Sequence, residues 1–197
     1  MTTLSHIYRG EKISHSHLTA WQTFFQVLGA SLLMALCSQI KIVLPFTPVP
    51  LTCQTFAVLL IGATLGSRKG ACALLLYFAE ILVGLPVLAG GAANPLIFLG
   101  PKGGYVLGWC LQAFLMGWFV ERMAWPRPIT LLIGGLLSCA VEMGLGVWVL
   151  AQFVGWNHVW TMGFFPFIPG EILKVLAICF GLTSLNKKGA IKSVGLP

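Results

Sequence analysis

Long apolar runs, separated by short polar or Pro- and Gly-rich stretches, divide the chain into six segments: about Trp21 to Leu44, Thr52 to Leu65, Gly70 to Leu88, Gly103 to Val120, Ile129 to Val154 and Ile168 to Leu185. A helix needs about 20 predominantly apolar residues to cross the hydrocarbon core of a bilayer. Five segments come near that length. The second is short and reaches across only by extending into its flanks or by borrowing depth from a re-entrant Pro-rich loop. The pattern predicts an all-α integral membrane protein with six transmembrane helices. Residues 1–20 form an N-terminal tail, 21–186 the membrane domain and 187–197 a C-terminal tail.

Composition agrees with this pattern. The chain has 197 residues, 57% of them hydrophobic and only 9% charged, with a mean hydropathy of +0.90. Soluble domains carry about 25% charged residues. A net charge of +7 raises the question of nucleic acid, but the basic residues punctuate apolar segments and form no stripe, which excludes that partner. They set orientation instead. Arg9, Lys12, Arg68, Lys69, Arg122, Arg127, Lys187, Lys188 and Lys192 all fall on one side of a six-span chain, which predicts that both termini are cytoplasmic in a multi-pass protein of the cell (inner) membrane. Lys41, Lys102 and Lys174 fall in or near the opposite half.

Several chemistries are excluded or disfavoured. Asp is absent, and Glu11, Glu80, Glu121, Glu142 and Glu171 are too few and too scattered for a carboxylate-rich metal site. The six cysteines stand singly without a C-x-x-C, as small buried side chains do, so no metal centre is expected. His15 and His17 lie on the polar tail and receive no role. Gly62-Ala-Thr-Leu-Gly-Ser-Arg-Lys69 has the wrong spacing for a phosphate-binding loop, and no G-x-S-x-G or H-E-x-x-H occurs. No catalytic residue is identified.

The strongest candidate for a site is Pro166-Phe-Ile-Pro-Gly-Glu171-Ile-Leu-Lys174, where an acid and an amine three residues apart open the last apolar segment. A charge at the bilayer centre costs about 2.5 to 3.5 kcal/mol on insertion scales. Two on one helix face therefore imply a structural pair or a ligand. With Pro169 near the first helical position, Glu171 falls in the first turn and Lys174 one turn deeper. Pro- and Gly-rich stretches at Pro45 to Pro50, Ala89 to Gly104 and Gly155 to Pro169 all lie on the outer side, as connections alone or as the roof of an outward cavity. Glu80 and Glu142 are intramembrane acids that either carry protons or accept bonds from neighbouring helices. The Gly62, Gly66, Gly70 and Gly100, Gly104, Gly108 series favour close helix packing, and Ser31 with Ala35 makes one further small-residue step.

The blocks Pro48-Val-Pro-Leu-Thr-Cys-Gln-Thr-Phe-Ala-Val-Leu-Leu60, Ala79-Glu80, Gly84-Leu-Pro-Val-Leu-Ala-Gly-Gly91, Gly100-Pro-Lys-Gly-Gly-Tyr105 and Pro169-Gly-Glu-Ile-Leu-Lys174 resemble BioY, the biotin-binding component of energy-coupling factor (ECF) transporters. The resemblance runs from about Trp21 to Leu185. It implies six membrane helices, a biotin pocket near the outer surface roofed by the loops after the first and third helices, and partners comprising a transmembrane coupling protein and cytoplasmic ATPases. It also implies that Ser31 and Ala35 face the coupling protein. The chain departs from the family pattern in having Glu171 where Asp is usual and Lys102 where a small residue, often Thr, is usual.

On that resemblance Glu171 accepts from a ureido N–H of biotin and Lys174 donates to the ureido oxygen or meets the carboxylate. Tyr105, Gln54 and Asn94 orient ring or tail, and Lys102 either contacts the carboxylate or faces solvent. No cofactor is expected; biotin is the transported ligand. The rival readings are a solitary proton-coupled vitamin carrier and a membrane enzyme acting on a lipid substrate.

Overall fold

The computed structural model describes the backbone of residues 4–187 and the side chains of residues 20–185; the ten C-terminal residues, including most of the expected C-terminal tail, lie outside the described part. The chain is helical almost throughout. Helices α1 (Leu4–Ser38), α2 (Gln54–Leu82), α3 (Gly103–Arg122), α4 (Arg127–Val154), a short α5 (Trp156–Val159) and α6 (Ile168–Lys187) follow one another, with a two-stranded ribbon, β1 (Lys41–Ile42) and β2 (Leu51–Thr52), between α1 and α2. Five stretches are long and apolar enough to cross a membrane: Ala20–Ser38, Gln54–Leu82, Gly103–Arg122, Arg127–Val154 and Trp156–Leu185. Large apolar side chains such as Leu36, Leu75, Trp148, Leu173 and Phe180 point outward, as expected where the surroundings are lipid.

Two expected boundaries shift. The first helix stops at Ser38 rather than running to Leu44, because the Ser38 hydroxyl donates to the Ala35 and Val87 carbonyls and β-branched Ile40, Ile42 and Val43 follow. It also begins at Leu4, within the expected N-terminal tail, although its apolar part starts only at Ala20. Helix α2 ends at Leu82 instead of Leu88. Gly84 adopts φ 82°, and the amides of Gly84 and Leu85 bond to the carbonyls of Ile81 and Glu80, a Schellman stop. The Gly155 to Pro169 connection, expected to be irregular, is largely helical, with a π-type turn over Trp160–Phe164.

Helix α2 is not a straight rod. Gly66 has φ 81° and ψ −179°, which breaks it into arms 54–65 and 67–82. The arms double back on each other: a Cβ added at Gly70 would lie 3.4 Å from the Gly62 Cα, and Gln54 Nε2 donates to the Tyr77 hydroxyl at 2.9 Å across 23 residues. In a straight helix those 23 residues would span roughly 35 Å. Glu121, at the end of α3, caps the reversed arm by accepting from the Ser67 amide at 2.8 Å and its hydroxyl at 2.6 Å. A carboxylate at a helix N-terminus also complements the helix dipole.

Helix α3 packs against both arms of α2 and against α4, while α6 closes the space between α4 and α2. Helix α1 lies against α2. Ser31 is fully buried there and donates to Glu80 Oε1, so it cannot present itself to a partner protein. Ala35 is half-buried against the same core. The expectation that Ser31 faces a partner is therefore corrected, since helix packing encloses it, whereas Ala35 keeps part of its surface open beside an α1 face that carries Phe25, Leu32 and Leu36. Glu80 serves as a helix-to-helix acceptor. Arg68, Arg122 and Arg127 gather at the Gly66 end of the bundle, opposite the ribbon and the Pro- and Gly-rich loops.

Gly66→Ala should lower the thermal midpoint of the purified protein, because an alanine there pays about 1 to 3 kcal/mol for a positive-φ, extended-ψ backbone that is essentially confined to glycine, and its Cβ runs into the Glu121 carboxylate. An unchanged midpoint would show that the hairpin turn is not strained by a side chain.

Candidate ligand-binding site

Helix α6 opens with Ile168 and Pro169, and the Glu171 amide bonds back to the Phe167 carbonyl at 2.9 Å. This first turn carries the Glu171 side chain into the bundle, where the residue is only 5% exposed. Lys174, one turn on, places Nζ 2.7 Å from Glu171 Oε1. Thr55, at the start of α2, completes the group. Its hydroxyl accepts from Lys174 at 2.6 Å and donates to Glu171 Oε1 at 2.8 Å. The second carboxylate oxygen receives only the thiol of Cys139 on α4, at 3.5 Å. Three helices are thereby tied around one ion pair, the only one among the described residues.

Above this group lie two adjoining hollows. The larger, about 230 Å³, sits beneath the loops and is lined by Gln54, Asn94 and Lys102 among mainly apolar neighbours. The smaller, about 40 Å³, is a polar pit containing Thr55, Glu142, Glu171 and Lys174. Val49, Pro50, Thr52, Tyr105 and Trp109 line both and form the neck between them. Ligand sites are commonly concave and mostly apolar with a few placed polar groups. The charges are separated: Lys102 is the sole ionisable amine or acid around the upper chamber, whereas the pit holds two acids and one lysine.

All six candidate binding residues line one chamber or the other: Glu171 and Lys174 the pit, Gln54, Asn94 and Lys102 the upper chamber, and Tyr105 both. Their freedom to act differs. The Tyr105 hydroxyl donates to the Gly163 carbonyl at 2.7 Å and its ring stacks on Phe167 at 5.9 Å, so it offers a fixed apolar wall. Gln54 holds Tyr77, whose hydroxyl donates to the Val87 carbonyl at 2.6 Å; its own Oε1 accepts from Thr52. Asn94 caps the 3-10 turn Pro95–Leu99 through Oδ1, leaving only its amide N–H groups. Lys102 makes no hydrogen bond or ion pair among the described residues.

Sequence reasoning missed Thr55, Cys139 and Trp109. Thr55 was visible beside Gln54, and Trp109 lies one turn after Tyr105 on the same face of α3. The indole N–H of Trp109 is buried without a partner, in a residue only 6% exposed. A buried unmet donor costs about 1 to 3 kcal/mol.

Residues 11–190 match the BioY family. The chain belongs to that family. It is 39% identical over 163 residues to the biotin transporter BioY of Rhodobacter capsulatus, covering 76% of this chain and 84% of that one. It is 33% identical over 157 residues to the biotin transporter BioY of Rhizobium etli, with the same two coverages of 76% and 84%. In structure it is similar to the crystal structure of the S-component for biotin from an ECF-type ABC transporter, with a TM-score of 0.77 and 26% identity, covering 86% of this chain and 93% of that one. Within this BioY chain the polar pit is the place where charge is concentrated inside a bilayer-sized apolar bundle.

Lys174→Ala should destabilise the BioY chain by about 3 to 5 kcal/mol, because it strands the Glu171 carboxylate without its cation. The double change Glu171→Gln with Lys174→Met should cost much less. Thermal melts in one detergent compare them, and equal losses would contradict a buried charge pair.

Proposed function

We propose that this chain is the biotin-binding substrate component of an ECF transporter, a multi-pass protein of the cell membrane that mediates biotin uptake. Membership of the BioY family, together with the Glu171–Lys174 pair at the floor of a mostly apolar chamber, carries the reading. Biotin presents a ureido ring with two N–H donors and a carbonyl acceptor, an apolar thioether ring and a valerate carboxylate. The two chambers complement that molecule from end to end.

The ureido ring enters the pit. There Glu171 Oε2, held only by a thiol, accepts one ureido N–H, and the third ammonium proton of Lys174 donates to the ureido oxygen. Charge-assisted hydrogen bonds are about twice as strong as neutral ones, which makes this the anchor. Tyr105 and Phe167 wall the thioether ring. The valerate tail rises into the upper chamber, where Lys102 pairs with the carboxylate and the Asn94 and Gln54 amides flank the tail.

The arms of α2 count as separate crossings, so the bundle crosses the membrane six times, with both termini in the cytoplasm and the chamber open outward. The positions of Arg68, Arg122 and Arg127 at the end away from the chamber support this orientation. Residues 21–186 form the binding domain between cytoplasmic tails. A transmembrane coupling protein and cytoplasmic ATPases supply the energy, and the exposed α1 face of Phe25, Leu32 and Leu36 is available to such a partner. Binding and reorientation leave biotin unaltered, so the chain is not an enzyme.

Equilibrium titration of the purified chain with biotin should give submicromolar affinity, and Lys174→Ala should weaken it by about 10- to 100-fold. Micromolar or weaker binding by the unmodified chain, or equal tight binding by both, overturns the assignment. Lys102→Met should narrow the preference for biotin over its primary amide by about tenfold, since the neutral amide accepts from the ammonium without a charge pair. An unchanged preference would move the carboxylate away from Lys102.

A further inference from the structure

Glu142 is the one acid of the pit that the ion pair does not use. It projects from α4, is only 3% exposed, lines the pit with Glu171 and Lys174, and makes no hydrogen bond among the described residues. Its backbone is held in place by α3. A Cβ on Gly108 of α3 would come within 3.0 Å of both the Cα and Cγ of Glu142, so the glycine is what allows α3 to press against that residue. The side chain therefore occupies a constrained position beside the cavity. Burial of a carboxylate without a donor is unfavourable. Within the chain, the nearest cation of the pit, Lys174, is already shared between Glu171 and Thr55.

A cyclic urea has two N–H groups that diverge from one ring edge, and one acceptor cannot satisfy both. Glu171 on α6 and Glu142 on α4 stand in the walls of the same small pit. We infer that Glu142 is a second ligand-anchoring residue, accepting the ureido N–H that Glu171 does not take. This rests on the biotin-binding reading above and deepens it. The pit then reads a disubstituted urea edge with two carboxyl side chains, and discriminates against ligands in which either nitrogen is alkylated or acylated. Glu142 needs no proton carried through the membrane to account for its presence.

The test crosses protein and ligand variants in equilibrium binding. Glu142→Gln retains a carbonyl acceptor and the side-chain volume; Glu142→Leu retains the volume alone. For biotin, Glu142→Gln should weaken binding about tenfold and Glu142→Leu about 100-fold. For two biotins, each bearing an N-methyl group on a different ureido nitrogen, the Glu142→Leu penalty should collapse to within about threefold for one of them and persist for the other, while a Glu171→Gln penalty shows the opposite ligand dependence. Equal Glu142→Leu penalties for biotin and both methylated ligands would overturn the inference and leave a packing role. So would wild-type affinity in both Glu142 variants. Because the unmodified chain is titrated in parallel, failure of biotin binding itself is read separately. Should Glu142→Leu fail to fold, the Glu142→Gln series alone decides by the same ligand comparison.

Discussion

An ammonium and a carboxylate inside an apolar bundle constrain everything around them. Separately, Glu171 and Lys174 would each be costly at membrane depth. Together, with Thr55 between them, they require α2 and α6 to meet at one fixed register, and Cys139 brings in α4. The arrangement satisfies one carboxylate oxygen fully and leaves the other held by a single weak donor. That imbalance gives the site its capacity to accept a hydrogen bond from a bound molecule. The same group thus holds three helices together and leaves a polar face toward the cavity.

Glycines let the helices around the cavity approach closely at both ends of the bundle. Close approach at the Gly66 end follows from the reversal of α2, where Gly62 and Gly70 meet and Glu121 caps the second arm. At the opposite end α3 and α4 are also in close contact, since a Cβ at Gly104 would collide with the Leu145 carbonyl and one at Gly146 with the Tyr105 ring, and the cavity is walled by Val49, Pro50, Tyr105, Trp109 and Phe167. The roof is fixed by local chemistry: the Schellman stop at Gly84, the Asn94 cap and the short ribbon pairing Lys41 with Thr52. The loops over the upper chamber are thus anchored at their ends, with Lys102 at the start of α3 as the chamber's cation.

Much of this was legible in the residue order, and the exceptions have physical causes. Apolar runs marked the helices, because a bilayer rewards uniform hydrophobicity over a fixed length. Pro169 preceding Glu171 marked the first turn of α6, because proline suits a helix start and the i, i+3 spacing puts acid and amine on one face. The extension of the first helix to Leu44 failed because hydropathy does not register the Ser38 side chain competing for backbone carbonyls. Ser31 was misplaced for a related reason: small residues pack against whatever lies opposite, and only the fold shows that Glu80 lies there. Glu142 was visible as an intramembrane acid without any indication of its neighbours.

By itself the residue order determined that this chain lives in a membrane, where the long apolar helices lie, and that an acid–amine pair opens the last of them. Those properties depend on composition and on spacings within one helix. The tertiary structure decided which partners those groups receive: Thr55 for the ion pair, Gly108 against Glu142, and an unpartnered Trp109 at the neck between two chambers. Such contacts join residues far apart in the chain, and hydrophobic periodicity is silent about them because every apolar face of a membrane helix can meet either protein or lipid.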